Sequence, residues 1–397
     1  MKRIPGRAAA LLVATVTAVA APQAVAAHAT QAGFTPAKLP VSGAVLSSGV
    51  QLDRHTTWAA GFRITGSDQR LRFAPVVLSH DDRSEQWTEL PAPAPDYDGR
   101  ATAVAGSSTN DAWLFGDREP NTGRILAQHW DGKGWTATRI EPPEGELNGA
   151  YLLGASAPRR NSAWAVGGAT VVTKRTPDPD HGGTVIETRT TGLIEHWDGT
   201  AWHRQSVAGI DGDWWLSSVT EISGNDVWAV GNTAAPEDKP VLLHYDGRTW
   251  TRVAAPAFTG LYGEYQGVAA AGPDDVWVVG RAVLADKDRG HPLVAHYDGR
   301  SWSTVPAPDG VAGKLWSVTA VPGGMAAVGW DPSGADDRPL GLRYTNGRWQ
   351  SLDLSVDGYQ NTSYQSVVAA RGGRLTAIGA GGTSKSPDYQ PLIVTGH

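Results

Sequence analysis

One phrase recurs along this chain, as "HTTWAAG" around Trp58, "NDAWLFG" around Trp113, "NSAWAVG" around Trp164, "NDVWAVG" around Trp228 and "DDVWVVG" around Trp277. It continues in eroded form as "GGMAAVG" and "GGRLTAIG". Successive copies lie roughly fifty residues apart, the period of propellers and related arrays. This repeat constrains the fold more than any other feature. A unit of this length cannot bury its own apolar face and must stack on its neighbours.

Each unit resolves into four short strands, illustrated by Tyr265–Ala270 (A), Val276–Gly280 (B), Pro292–Tyr297 (C) and Ser301–Pro306 (D). Each runs or alternates apolar and is bounded by Gly, Pro, Asp or Asn. Strands C and D are joined through "HWDGKGW", "HWDGTAW", "HYDGRTW" and "HYDGRSW", where Asp-Gly suits a tight hairpin turn. The pattern predicts an all-β protein, a seven-bladed β-propeller of four-stranded antiparallel blades. The last unit supplies A, B and "PLIVTGH" (Pro391–His397), and its fourth strand is missing. "GFTPAKLP" (Gly33–Pro40) matches "WTRVAAP", with Phe34 in place of Trp, so an N-terminal strand is expected to complete the last blade.

Gly ending strand B, an aromatic ending strand C and a Trp opening strand D give the chain a pattern that resembles kelch repeats and the galactose-oxidase-type propeller. The likeness covers nearly all of the chain after the first residues. The double Gly of kelch stands clearly only at Gly167 and Gly168, and Tyr245 and Trp250 are more closely spaced than in that family. The resemblance implies a propeller. The copper site of galactose oxidase uses a tyrosine cross-linked to cysteine, and this chain has no cysteine, so that activity is excluded.

A formal net charge of −6 and the absence of any long Lys/Arg run argue against a nucleic-acid partner. Lys2, Arg3 and Arg7, the apolar run Ala8–Ala21 and the small residues Ala24 and Ala26 form the three-part pattern of a secretory signal. Residues 1–27 are therefore expected to be an export signal and 28–397 a single secreted domain, monomeric and without a membrane span. "DKDRG" (Asp286–Gly290) opens like a calcium loop but lacks its remaining oxygen ligands. His129, His196, His244 and His296 fall in different units and cannot converge on one ion; they are expected to make turn hydrogen bonds.

Function is expected where the units differ. The A-to-B and C-to-D turns share one face and are nearly uniform. The B-to-C loops and D-to-A links share the other, where Ala169–Thr191, Arg281–His291 and Trp330–Pro339 vary. Aromatics outside the repeat pattern, Tyr151, Trp214, Trp215, Tyr262, Tyr265, Trp316, Tyr359 and Tyr364, stand at or just before strand A. With Asp213 and Glu264 they are candidate ligand residues, because aromatic rings stack on the CH faces of sugars while polar groups bond the hydroxyls. Asp211, Gln266, Gln360 and Asn361 could add polar contacts. The reading is a secreted binding module for an extracellular carbohydrate, with a cell-surface protein as the other class of partner. A glycosidase or sialidase-like enzyme on the same face and a protein-interaction scaffold are the alternatives. Asp213 with Glu264 is the carboxylate pair a glycosidase would need, and Arg63, Arg118, Arg281 and Arg289 are arginines open to a sialidase-like site. No motif marks a catalytic residue, a metal site or a cofactor.

Overall fold

The computed structural model describes residues 33–397 apart from 67–70, 120–121, 148, 179–182, 235–238, 286–288, 335–336, 371 and 384–385. The expected export signal, the tip of "TPDPDHGGT" and most of "DKDRG" lie outside the described residues. Within them the chain is all-β, without a helix.

Four-stranded antiparallel sheets follow one another in sequence. The first joins Ala44–Gln51, Thr56–Thr65, Arg72–Asp81 and Gln86–Glu89 in that order. The order repeats from Trp214–Ser223 to Trp250–Arg252, from Tyr262–Gly272 to Trp302–Thr304, and from Lys314–Val321 to Arg348–Ser351. The units Ala101–Ser108 to Trp135–Ala137 and Tyr151–Arg159 to Trp202–Arg204 are tied together by the pairing of Tyr151 with Asp117. In the last sheet, Tyr359–Ala369, Leu375–Thr383 and Ser386–Gly396 are followed at the edge by Thr35–Pro36, with Thr35 opposite Thr395. Ala37 extends this edge by donating its N–H to the Ile393 carbonyl at 2.8 Å.

A shared irregularity shapes every strand A. One residue in each is left out of the register with strand B: Ser47, Thr102, Leu153, Ser217, Gln266, Trp316 and Gln365. Such a bulge bends the strand and brings its backbone against the partner. At this point strand B carries the repeated glycine, Gly61, Gly116, Gly167, Gly231, Gly280, Gly329 or Gly379. A Cβ there would sit far inside contact distance of the strand A carbonyl oxygen of Val45, Arg100, Tyr151, Trp215, Glu264, Lys314 or Ser363. The glycine is therefore fixed by close backbone approach.

The residue after the bulge is serine in four strands, and its hydroxyl crosses to the next strand A. Ser48 accepts the N–H of Val104 (3.0 Å), Ser218 that of Val268 (3.3 Å) and Ser317 that of Val367 (3.1 Å). Ser366 accepts the N–H of Gly49 at 3.0 Å, linking the last strand A to the first.

The repeated tryptophans pack adjacent sheets together. Trp164 stacks on its cross-strand partner His196 (4.0 Å) and meets Tyr245 and Trp250 of the following sheet at 5.1 and 5.4 Å. Trp228 repeats the arrangement with His244, Tyr297 and Trp302. The histidines bond mainly to the start of strand B and not to the C-to-D turn. His129 meets Asp111 at 2.7 Å, and His244 and His296 meet Asp226 and Asp275 at 2.9 Å. His196 has Ser162 in the corresponding place, 3.4 Å away.

Two local expectations are corrected. The Asp-Gly turns are four residues long, because Tyr245 pairs with Trp250 and only Gly247 takes positive φ (91°). Asp246 instead folds its carboxylate back onto the N–H groups of Arg248 (2.9 Å) and Thr249 (2.8 Å), an Asx turn. Among the described C-to-D turns the two-residue hairpin is Asn346-Gly347, with φ of 51° and 77°. Ala169–Thr191 is not an irregular loop either. Ser162–Asp178 and Gly183–Trp197 pair from Ala163–Trp197 to Asp178–Gly183, interrupted by a bulge at Thr173, and form a ribbon rich in the β-branched residues that favour strands.

Two predictions follow from these contacts. Gly231→Ala should lower stability in urea by about 1–3 kcal/mol, the usual cost of overpacking. Gly134→Ala, where a Cβ meets nothing within 4 Å, should stay within about 0.5 kcal/mol of wild type. Asp246 is held below the ordinary carboxylate range by the Thr249 and Arg248 backbone hydrogen bonds. A depressed folded value means that its stabilisation is complete above the unfolded value and is lost as pH falls through the folded one. Asp246→Ala should therefore lower the melting temperature at pH 7, and the difference from wild type should shrink below pH 3.8.

Candidate functional site

Three consecutive residues from each strand A, beginning with the bulged one, line a central cavity of about 350 Å³. Side chains alternate along a strand. The residue just before each bulge is buried between sheets: Leu46, Ala101, Leu152, Leu216, Tyr265, Leu315 and Tyr364. The residue two before it shares the cavity side, as contacts at Gln266 with Glu264 (3.3 Å) and at Trp316 with Lys314 demonstrate. Glu264 and Lys314 thereby adjoin the cavity wall and form its rim there, and Val45, Arg100, Tyr151, Trp215 and Ser363 hold the same register position in their own strands.

The rim is strongly polar on one side. Glu264 Oε1 lies 2.9 Å from Lys314 Nζ and 3.0 Å from Arg281 Nε, while Gln266 Nε2 donates to Oε2 at 3.3 Å. Register brings them together: Arg281 is opposite Glu264 on strand B, and Lys314 occupies the equivalent place on the next strand A. Lys314 is buried and its ammonium lies 3.8 Å from the centre of the Trp316 ring, a cation–π contact. Burial pushes the Lys314 pKa down, with Glu264 opposing the shift. The indole N–H of Trp316 is buried and finds no acceptor among the described residues. At the same register position of its own strand, Arg100 pairs with Asp117 at 2.6 Å.

The structure separates the residues singled out in the sequence. Tyr151 and Trp215 are close, both meeting Gly168, where an added Cβ would lie 2.7 Å from the Tyr151 hydroxyl and 3.1 Å from Trp215 Cβ. Burial, and then Asp117, pushes the Tyr151 pKa up. Glu264 and Trp316 belong to the rim and cavity. Tyr265 and Tyr364 are corrections: both are fully buried between sheets, and Tyr364 donates its hydroxyl to the Leu354 carbonyl at 2.9 Å. Trp214 is likewise core, packed on Gly192. Alternation beside the bulge turns these three rings inward.

The remaining candidates stand apart. Asp213 caps the ribbon base by accepting the Thr190 N–H at 2.6 Å. Tyr262 lines a depression of about 610 Å³ with Phe258 and Lys239, and Tyr359 one of about 350 Å³ with Asp337 and Arg338. Asp213 and Glu264 thus have different partners, the Thr190 N–H for Asp213 and Lys314, Arg281 and Gln266 for Glu264. Lys314 had not been singled out in the sequence. Aligning "KLWSV" on "EYQGV" and "WLSSV" would have placed it beside Glu264 and Trp215. Among the described residues no three His, Asp or Glu side chains form a metal-binding group.

No protein-family model and no curated protein matches the chain. Solved structures do. A structure of YCF48 bound to D1 peptide superposes with a TM-score of 0.57 at 14% identity, over 93% of this chain and 98% of that one. YCF48 from Cyanidioschyzon merolae gives 0.56 at 15% identity, over 92% and 99%. With the sheet order above, this likeness defines a propeller-type all-β fold.

Glu264 serves both Lys314 and Arg281, so its loss should be costly. Glu264→Gln should destabilise the protein by up to about 3–5 kcal/mol, the range for breaking a buried pair. Adding Lys314→Met should recover part of that loss in urea unfolding, because the stranded ammonium goes with it.

Proposed function

We propose that the chain is an exported, single-domain, seven-bladed propeller that binds an extracellular carbohydrate at the rim of its central cavity. The N-terminal strand is read as the seal of the ring. The Thr35–Thr395 pairing and the Ser366–Gly49 hydrogen bond support this reading. The basic, apolar and small-residue pattern of residues 1–27 supports export.

One observation carries the binding reading: Trp316 and Gln266 line the cavity directly beside Glu264, Arg281 and Lys314. An aromatic wall next to fixed donors and acceptors matches the two-sided chemistry of a pyranose. A protein partner is the second reading. It is favoured by the ribbon, whose Val185 and Ile186 are 50% and 39% exposed far along its length. YCF48, the structural neighbour, holds a peptide in its own structure.

The test is binding of residues 28–397 to a broad array of oligosaccharides, repeated with Trp316→Ala. Specific binding that falls at least tenfold in the variant is expected. A failure to retain any oligosaccharide, with the folded state verified by circular dichroism, would overturn the carbohydrate reading and turn attention to the ribbon.

A further inference from the structure

The ion cluster at the rim is unbalanced. Two cations, Lys314 and Arg281, converge on a single carboxylate oxygen of Glu264, whose other oxygen is occupied by the Gln266 amide. Counting one carboxylate against two cations leaves the cluster with one positive charge. Its side chains are between 10% and 24% exposed, so water screens that charge poorly. The excess is local, because the chain as a whole carries −6. A stranded charge in a half-dry site is costly unless an anion joins it. The adjoining surface is the cavity wall, with Trp316 on one strand A and Gln266 on its neighbour.

We propose that this cluster is a carboxylate-recognition subsite and that the preferred ligand is an acidic saccharide, a uronate-containing oligomer. Its carboxylate would face Lys314 and Arg281, and the sugar ring would lie along Trp316. This deepens the carbohydrate reading above and rests on it. A uronate offers in one residue both the single negative charge the cluster lacks and the ring the aromatic wall accepts. A neutral hexose offers only the second.

The experiment compares oligomers that differ only in the carboxyl group: an α-1,4-linked galacturonate tetramer against the α-1,4-linked galactose tetramer, and a β-1,4-linked glucuronate tetramer against the glucose tetramer. Peptides ending in a free carboxylate serve as a third probe. Dissociation constants are read by calorimetry with residues 28–397. At least one uronate should bind ten or more times tighter than its neutral counterpart. Raising salt from 0.05 to 0.5 M should shrink that ratio without weakening the neutral sugar comparably. The ratio should also fall toward one in Lys314→Met and in Arg281→Gln; the salt series on the wild type decides the matter if a variant does not fold. Neutral sugars binding as well as uronates would overturn the acidic-saccharide proposal and leave the carbohydrate reading standing. Preference for the peptides over every sugar would overturn both.

Discussion

The close approach between a glycine on strand B and the strand A carbonyl two residues before the bulge is the contact on which this molecule is organised. It allows strand A to bend where the sheets meet. The bend turns one side chain per strand toward a common cavity and the preceding one into the layer between sheets. Because only a residue without Cβ permits the approach, glycine persists even in the units where the neighbouring tryptophan has eroded to Ala326 or Thr376. The packing tryptophan can be replaced by other apolar contacts, but the steric allowance cannot.

The same register that builds the scaffold also places the chemistry. Two positions before the bulge, where Glu264 and Lys314 meet the cavity wall, the units cease to resemble one another. Valine, arginine, tyrosine, tryptophan, glutamate, lysine and serine take turns at that position. A repeat architecture thereby separates its obligations: an invariant position for closure of the backbone, and a free one for recognition. The Glu264–Lys314–Arg281 cluster is the point where neighbouring free positions have been used together.

The sequence made the architecture legible because repetition averages out local ambiguity. Any one strand pattern could be misread, but the spacing of Gly61 through Gly379 admits few folds. The turn chemistry was harder: Asp-Gly signals a hairpin in isolation, and only the cross-strand partners Tyr245 and Trp250 reveal a longer loop capped by Asp246. The site was the least legible part. Tyr265 and Tyr364 carried the same compositional signal as Trp316, yet a one-residue offset about an invisible bulge sends them to opposite sides of the strand. Lys314 gave no signal of its own, since its role depends on Glu264, which precedes it by a whole unit.

The edge pairing of Thr35 with Thr395 has a consequence for how such a chain matures. The sheet it belongs to cannot be completed until synthesis has passed Ile393, so this sequence-distant pairing cannot form before Thr395 has been made. Until then the open edge of the last sheet is exposed to pairing with other strands. The Thr35–Thr395 pairing thus joins the first described strand to the last, and that edge is covered only when both are present.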